Sequence, residues 1–144
     1  REGSENPAAL LDEVRALLRE HAGIRRDADG LERGLAELDA LRERATDLAV
    51  GDRTSRSFEF AVDLGFALTV AEAVLRAARS REESRGAHFR TDYPETEADW
   101  RRNLVVERDP VGAMRLRSRT PGEPSAAVRE ALSAGHELDY HQLE

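Results

Sequence analysis

The end of the sequence holds two histidines and two acids close together, a combination of side chains that can bind metal ions. They are His136, Glu137, Asp139 and His141. Their spacing places them on no common helix face, and a polar tail cannot hold them in the fixed geometry that a zinc site requires. We therefore interpret them as surface residues and predict no metal site.

No side chain has the sequence surroundings of a nucleophile or of a paired acid and base. Cysteine is absent, which excludes thiolate chemistry and disulfides. Ser84 and Ser125 lack the G-x-S-x-G pattern of a nucleophile elbow. Glu82 and Glu83 are adjacent, so they would point to different faces of a helix. The sequence predicts no catalytic and no cofactor-binding residue in this chain.

The composition narrows the class of protein. The chain has 144 residues and a net charge of −7 at neutral pH, a size that suits one domain. An acidic balance argues against a general nucleic-acid-binding surface. The most apolar stretch, residues 60–78, still contains Asp63, Glu72 and Arg76. No direct membrane span is therefore expected, and the polar first residues have no feature of a secretory signal.

Two amphipathic helices are predicted before residue 51. Asn6 and Pro7 have the types of an N-cap and a first helical position. Apolar residues then recur at helical spacing until Gly23, where the first helix should stop. The second helix carries charged residues on its outer face. Its inner stripe consists of Leu31, Leu35, Leu38, Leu41 and Leu48.

A third helix is predicted to start near Thr54 or Ser55 and to run to about Gly86. Between residues 60 and 78 nearly every face is apolar, and a helix of that kind is buried on all sides. Two neighbouring helices cannot cover it completely. We infer that one side packs on something outside these 144 residues; the alternative is that the tail folds back over it.

Prolines in the remainder of the chain prevent long helices there. Residues 103–107 and 113–119 are predicted to form the two strands of a hairpin. A short helix should open at Pro124-Ser125, end near Ser133 and be closed by Gly135. The polar end of the chain, residues 136–144, is predicted to be extended.

The predicted fold class is therefore mostly α. Residues 1–87 form an antiparallel three-helix bundle of the spectrin-repeat kind. Residues 88–144 contribute an extended segment, short strands, a short helix and a tail to the same domain.

One stretch resembles a known family. Residues 81–94 read R-E-E-S-R-G-A-H-F-R-T-D-Y-P and resemble the R-x-E-S-R-G-A-H-x-R-x-D-x-P segment of succinate dehydrogenase and fumarate reductase flavoproteins. Weaker similarities extend along the chain. They lie at residues 22–26 with 30–31, at Asp99-Trp100 with Asn103, and at residues 135–141, the last similar to archaeal members.

The resemblance implies that the chain is the C-terminal helical domain of such a flavoprotein subunit. The FAD of such enzymes sits in an amino-terminal domain, and no G-x-G-x-x-G turn occurs here. The implied parent protein interconverts succinate and fumarate with FAD and passes electrons to an iron–sulfur subunit. The implied partners are its own FAD-binding domain and that subunit. The implied location is cytoplasmic, peripheral to the inner face of the cell membrane through partner subunits.

Within this resemblance, eight residues are candidates for an interface with those partners. They are Arg81, Ser84, Arg85, His88, Arg90, Asp92, Tyr93 and Trp100. A structural explanation remains open, in which Gly86 ends the third helix and the cationic residues stabilise its carboxyl end. The functional explanation is that the arginines pair with carboxylates of another domain or subunit.

Two other functions remain open. L-Aspartate oxidase carries a similar helical domain and could be the parent protein. A free-standing helical adaptor unrelated to flavin chemistry would instead have a wholly polar surface. The domain hypothesis predicts an exposed apolar patch along the third helix, larger than is usual for a monomer, and such a patch could drive the isolated chain into a homodimer.

Overall fold

A computed structural model describes residues 3–134, and their fold is the predicted mostly α bundle with a small β appendix. The helices α1 (Pro7–His21), α2 (Ala28–Arg44) and α3 (Arg56–Ser80) pack against one another in antiparallel order. A short 3-10 turn, Ala45–Asp47, follows α2. No helix in this described range is long and apolar enough to cross a membrane.

The helix starts follow the side chains that can cap them. The Asn6 side chain accepts hydrogen bonds from the backbone N–H groups of Ala8 and Ala9, with Pro7 in the first turn. Asp27 caps α2 by accepting from Gly30 N at 2.7 Å. Ser55 caps α3 by accepting from Phe58 N. Each bond satisfies a donor that the helix itself cannot pair, and the predicted starts at Asn6 and Ser55 are confirmed.

The core lies between the three helices. Its most completely buried residues, at most 1% exposed, are Leu10, Val14, Leu31, Leu38, Leu64, Ala71 and Leu75. Leu48 belongs to the connection after α2 and not to the helix itself, which ends at Arg44, although it packs against the core.

The close approach of α2 to the other helices depends on Gly34. A Cβ atom at this position would lie 2.9 Å from His21 Cβ and 3.0 Å from Leu75 Cδ2. We expect Gly34→Ala to lower the free energy of unfolding by about 1–3 kcal/mol, the usual cost of overpacking a core. Gly65→Ala is the matched control, because its Cβ would meet nothing within 4 Å. It should stabilise α3 by about 1 kcal/mol. Urea unfolding of both variants measures the difference, and equal effects would contradict this packing.

The predicted end of the third helix at Gly86 is wrong. The helix ends at Ser80, because Arg81 has extended backbone angles, φ −86° and ψ 101°. Gly86 has φ +58° and is the first central residue of a tight turn. Arg85 N donates to His88 O at 2.8 Å, and His88 N donates to Arg85 O at 3.0 Å. Glycine accepts this left-handed conformation without strain.

The β structure is partly as predicted. β3 (Asn103–Arg108) and β4 (Met114–Arg119) form the antiparallel hairpin, confirmed with boundaries shifted by one residue. The sequence did not predict β1 (Arg25–Arg26), which pairs in parallel with β2 (Phe89–Arg90). This ladder fixes the chain after α3 to the connection between α1 and α2.

The predicted short helix is present as α4 (Ala126–Ser133), capped by the Ser125 hydroxyl, which accepts from Val128 N. Gly135 and the predicted extended tail lie outside the described residues, as do His136, Glu137, Asp139 and His141. The division of the chain between residues 87 and 88 falls inside the Arg85–His88 turn and stays a prediction.

Candidate functional site

The connecting segment, which we define as residues 81–97, folds back over the end of the bundle. One of its two most buried side chains is that of Arg90, which is 1% exposed. Arg90 Nη1 donates to the carbonyl oxygens of Ala78, Arg79 and Arg81 at 3.0, 3.1 and 3.2 Å. The last carbonyls of a helix have no partner within it. Arg90 therefore caps the carboxyl end of α3.

The same guanidinium group forms a two-pronged ion pair with Asp92. Its Nε and Nη2 donate to the two carboxylate oxygens at 2.7 and 2.6 Å. Asp92 Oδ2 also accepts from the backbone N–H of Ala28, the first residue of α2, at 3.0 Å. The positive group thus lies at a helix carboxyl end and the negative group at a helix amino end, as the helix dipoles favour. The hydrogen bonds from Arg90 lower the pKa of Asp92 to about 2.

A second ion-pair cluster surrounds Glu83, which has no exposed surface. Arg85 donates to both of its oxygens at 2.9 and 3.0 Å. Arg81 donates to Oε1, and the backbone N–H of Glu97 donates to Oε2 at 3.0 Å. The hydrogen bond from Arg85, opposed by burial, lowers the pKa of Glu83 to about 2. The buried carboxylate is therefore fully paired.

Ser84 joins the two halves of the connecting segment. Its Oγ accepts from Arg90 N at 2.9 Å and donates to Tyr93 O at 2.8 Å. Thr96 Oγ1 donates to the Ser84 carbonyl at 2.6 Å. The hydroxyl is buried, and its hydrogen bonds hold the two halves of the segment together.

His88 lies between two arginines and is held in one tautomer. Its Nδ1 is 2.9 Å from Arg26 Nη1, and its Nε2 is 3.1 Å from the Arg81 carbonyl oxygen. A guanidinium group can only donate, so Nδ1 accepts and Nε2 carries the proton. Burial lowers the pKa of His88, and the charges of Arg26, Arg90 and Arg81 lower it further.

The surroundings of His88 predict a pH dependence of stability. The unfolded chain takes up a proton on His88 near the ordinary histidine pKa of about 6.5, whereas the folded chain takes it up at a lower pH. The free energy of unfolding should therefore fall as the pH drops below about 6.5. His88→Gln, whose amide can accept and donate at the same places, should reduce that fall. Urea unfolding of both chains at pH 7.5 and 5.5 measures it, and identical pH profiles would contradict the assigned tautomer.

The aromatic residues of the site stack on guanidinium groups. The guanidinium carbons of Arg81 and Arg102 lie 5.3 and 5.5 Å from the ring centre of Trp100, within cation–π range. Arg90 lies 4.9 Å from the ring of Tyr93. The contact between Arg81 and Trp100 holds the start of the connecting segment against the residues that precede β3.

The structure thus brings all eight predicted interface residues into one connected network. Ser84 and Arg90 are buried and bond within the chain. A cationic group does cap α3, although the helix ends at Ser80 and not at Gly86. Arg85 and Tyr93 keep 41% and 38% of their surface exposed. Sequence reasoning missed Glu83 and Arg26 as members of the network. From the sequence, Glu83 was interpreted only as half of an acid–base pair. Arg81 and Arg85, two residues away on either side, were the signal that it forms ion pairs instead.

The described residues contain no group of three or more metal-binding side chains, and the carboxylates of the network are paired with arginines. The arrangement joins the carboxyl end of α3 to the amino end of α2.

A second surface lies along α3. We define the α3 stripe as Val62, Phe66, Val70 and Val74, which are 42%, 68%, 57% and 38% exposed. A spacing of four residues places them on one helix face. This row matches the exposed apolar surface that the domain hypothesis predicts, and it differs from the wholly polar surface expected of a free-standing adaptor.

Comparisons with known proteins give one consistent result. The family model described as fumarate reductase flavoprotein C-term matches residues 11–123. The succinate dehydrogenase flavoprotein subunit of Coxiella burnetii is 38% identical over 110 residues, covering 73% of this chain and 19% of that protein. L-Aspartate oxidase of Rhodospirillum rubrum is 33% identical over 127 residues, covering 88% of this chain and 39% of that protein.

Solved structures agree with this match. Mycobacterium smegmatis Sdh1 in complex with UQ1 shares 30% identity with this chain at a TM-score of 0.79, with 96% of this chain and 24% of that chain covered. The chain spans about a fifth of the length of most of the curated relatives that it matches.

Proposed function

Because the chain belongs to the family of fumarate reductase flavoprotein C-terminal domains, we propose that it serves as the structural domain of a longer flavoprotein subunit. The parent protein would carry FAD, interconvert succinate and fumarate, and deliver or receive electrons through an iron–sulfur subunit. The domain itself performs no chemistry. The family match removes the alternative of an adaptor unrelated to flavoproteins, and L-aspartate oxidase remains a more distant relative.

The observation that carries this proposal is the exposed α3 stripe on an otherwise well-packed domain. Phe66 and Val70 are more than half exposed, and monomeric proteins rarely leave a continuous apolar row in water. A longer polypeptide supplies a surface to cover it. We propose that the FAD-binding part of the same chain packs there, with the hydrophobic effect as the main driving force.

The iron–sulfur subunit would meet a different surface. Arg85 and Tyr93 expose part of their side chains at the end of the bundle, where the connecting segment fixes them. Trp100 lies between Arg81 and Arg102. Arginine and aromatic residues are enriched at protein interfaces. Through this contact the domain would be peripheral to the inner face of the cell membrane. The homodimer predicted for the isolated chain is not part of the proposal.

A denaturing gel of the native source tests the proposal. An antibody against this domain detects the band, and flavin fluorescence is imaged in the same lane. We expect a band several times larger than the 16.0 kDa of this chain, with flavin covalently attached. A large band without covalent flavin would favour the aspartate oxidase alternative. A flavin-free band near 16 kDa would overturn the proposal.

A further inference from the structure

Arg26 is a partly buried arginine without an acidic partner. Within residues 3–134, the arginines that are partly or fully buried are Arg26, Arg42, Arg81 and Arg90. All but the first pair with a carboxylate, in the pairs Arg42–Glu72, Arg81–Glu83 and Arg90–Asp92. Arg26 forms no ion pair with any described residue. Taking a charge out of water without a counter-charge costs free energy, and burial lowers the pKa of Arg26. An anion beside Arg26 would offset this cost.

The hydrogen bonds of Arg26 hold its guanidinium group in place and leave one nitrogen free. Nε donates to the Gly23 carbonyl oxygen at 2.7 Å, and Nη1 donates to His88 Nδ1 at 2.9 Å. Nη2 donates to no atom of the part of the chain that the structure describes. Because a guanidinium group carries five N–H donors, Nη2 can still bind a carboxylate oxygen. A group that is already positioned loses less entropy when it pairs.

A groove of about 460 Å³ lies beside Arg26. Its apolar lining includes Val74, Ala77 and Leu104, and its polar lining includes Arg26, His88 and Asn103. No acidic side chain of the described residues lines it. The groove therefore matches a group that carries a carboxylate on an apolar stem, as a glutamate side chain does.

The groove continues the α3 stripe. Val74 is the last residue of the α3 stripe and also lines the groove. A polypeptide that covers the α3 stripe over its whole length therefore reaches the groove. The proposed occupant of the α3 stripe is the FAD-binding part of the longer chain, so this part can supply the group that enters the groove.

We propose that a carboxylate side chain of the FAD-binding part enters this groove and pairs with Arg26. Its apolar stem packs on Val74 and Leu104, and its carboxylate accepts hydrogen bonds from Nη2. This inference rests on the proposed function and adds one specific ion pair to an interface that is otherwise apolar. The apolar contact supplies most of the driving force, and the ion pair fixes how the two parts are oriented.

Zero-length cross-linking tests the ion pair, because this chain contains no lysine. Arg26→Lys in the full-length flavoprotein keeps the charge and places a single amine in the groove. A carbodiimide then joins that amine to a carboxylate in direct contact with it. The matched control is Arg25→Lys, at the exposed neighbouring position outside the groove.

We expect peptide mapping to find a cross-link from position 26 to a carboxylate of the FAD-binding part, at a yield several-fold above that from position 25. Equal yields would overturn the proposal. So would cross-links from position 26 that reach only acids of this domain or of another subunit, or no cross-link at all.

Limited proteolysis separates this inference from the proposed function. In the full-length protein, Arg26→Gln should release the domain at least about ten-fold faster than Arg25→Gln, as expected when one partner of a desolvated ion pair is removed. If Phe66→Asp speeds release while the two arginine variants behave alike, the proposed function stands and the ion pair is wrong. If none of the three speeds release, both are wrong.

The isolated chain provides the last control. Arg26→Gln also weakens the hydrogen bonds to Gly23 and His88, so it should cause some loss of stability there. We expect that loss, measured by urea unfolding, to be too small to account for the faster release. A loss large enough to account for it would overturn the proposal.

Discussion

Arg90→Met is expected to lower the free energy of unfolding of this chain by roughly 3–5 kcal/mol, the usual cost of breaking a buried ion pair by removing one partner. The substitution keeps much of the apolar stem of the side chain. It removes the three hydrogen bonds to the carboxyl end of α3. It also leaves Asp92 without its cation.

The control for this prediction is Arg115→Met. Arg115 also pairs with an aspartate of the chain, Asp109, but its side chain is 69% exposed. A pair whose arginine lies mostly in water contributes at most about 1 kcal/mol, and the backbone N–H groups of Val111 and Ala113 still hydrogen-bond Asp109 in the variant. Arg90→Lys should fall between the two, since one ammonium group cannot hold both carboxylate oxygens and the helix carbonyls. Urea unfolding separates the variants. Equal losses for Arg90→Met and Arg115→Met would show that Arg90 does not hold the end of α3 and Asp92 together.

Phe66→Asp should have a large effect in the full-length flavoprotein and a small one in the isolated chain. In the isolated chain Phe66 is 68% exposed, so the free energy of unfolding should change by about 0.5 kcal/mol or less. In the full-length protein the carboxylate would be buried in an apolar interface, at a cost of several kcal/mol. We expect limited proteolysis to release the domain at least ten-fold faster than in the unmodified protein.

Val111→Asp is the matched control for Phe66→Asp. Val111 is 88% exposed in the hairpin turn, away from the α3 stripe, and it receives the same charge. The rate of proteolytic release should stay as in the unmodified protein. If both variants release the domain at the same rate, the α3 stripe is not the interface with the FAD-binding part.

The parts of the fold that the sequence predicted are those governed by local rules. Asn6 and Ser55 cap helices with their own side chains, and the spacing of the leucines indicates which helix faces are buried. The end of α3 is different. Residues 81–84 are compatible with a helix, but burial of Glu83 against Arg81 and Arg85 stabilises an extended path instead. The β1–β2 ladder has no local signal, because it joins two-residue strands that are distant in sequence.

The candidate site was located by its sequence pattern, but the pattern could not tell internal from external partners. An arginine in a motif does not reveal whose carboxylate it binds. Arg90 binds Asp92, two residues away, and the carbonyls of α3. The arginines of the network therefore serve first to build the domain. The apolar composition of the third helix predicts that some of its apolar residues are exposed. It does not predict which residues form the α3 stripe, because that depends on how α1 and α2 pack.

The most direct test of the domain's role is an experimental structure of the full-length flavoprotein, with attention to the atoms within 4.5 Å of Phe66, the usual range of an apolar contact. The account predicts that apolar side chains of the FAD-binding part surround Phe66 and Val70 and leave both of them buried. A structure in which the α3 stripe faces water, or is covered by residues of this chain alone, would contradict it.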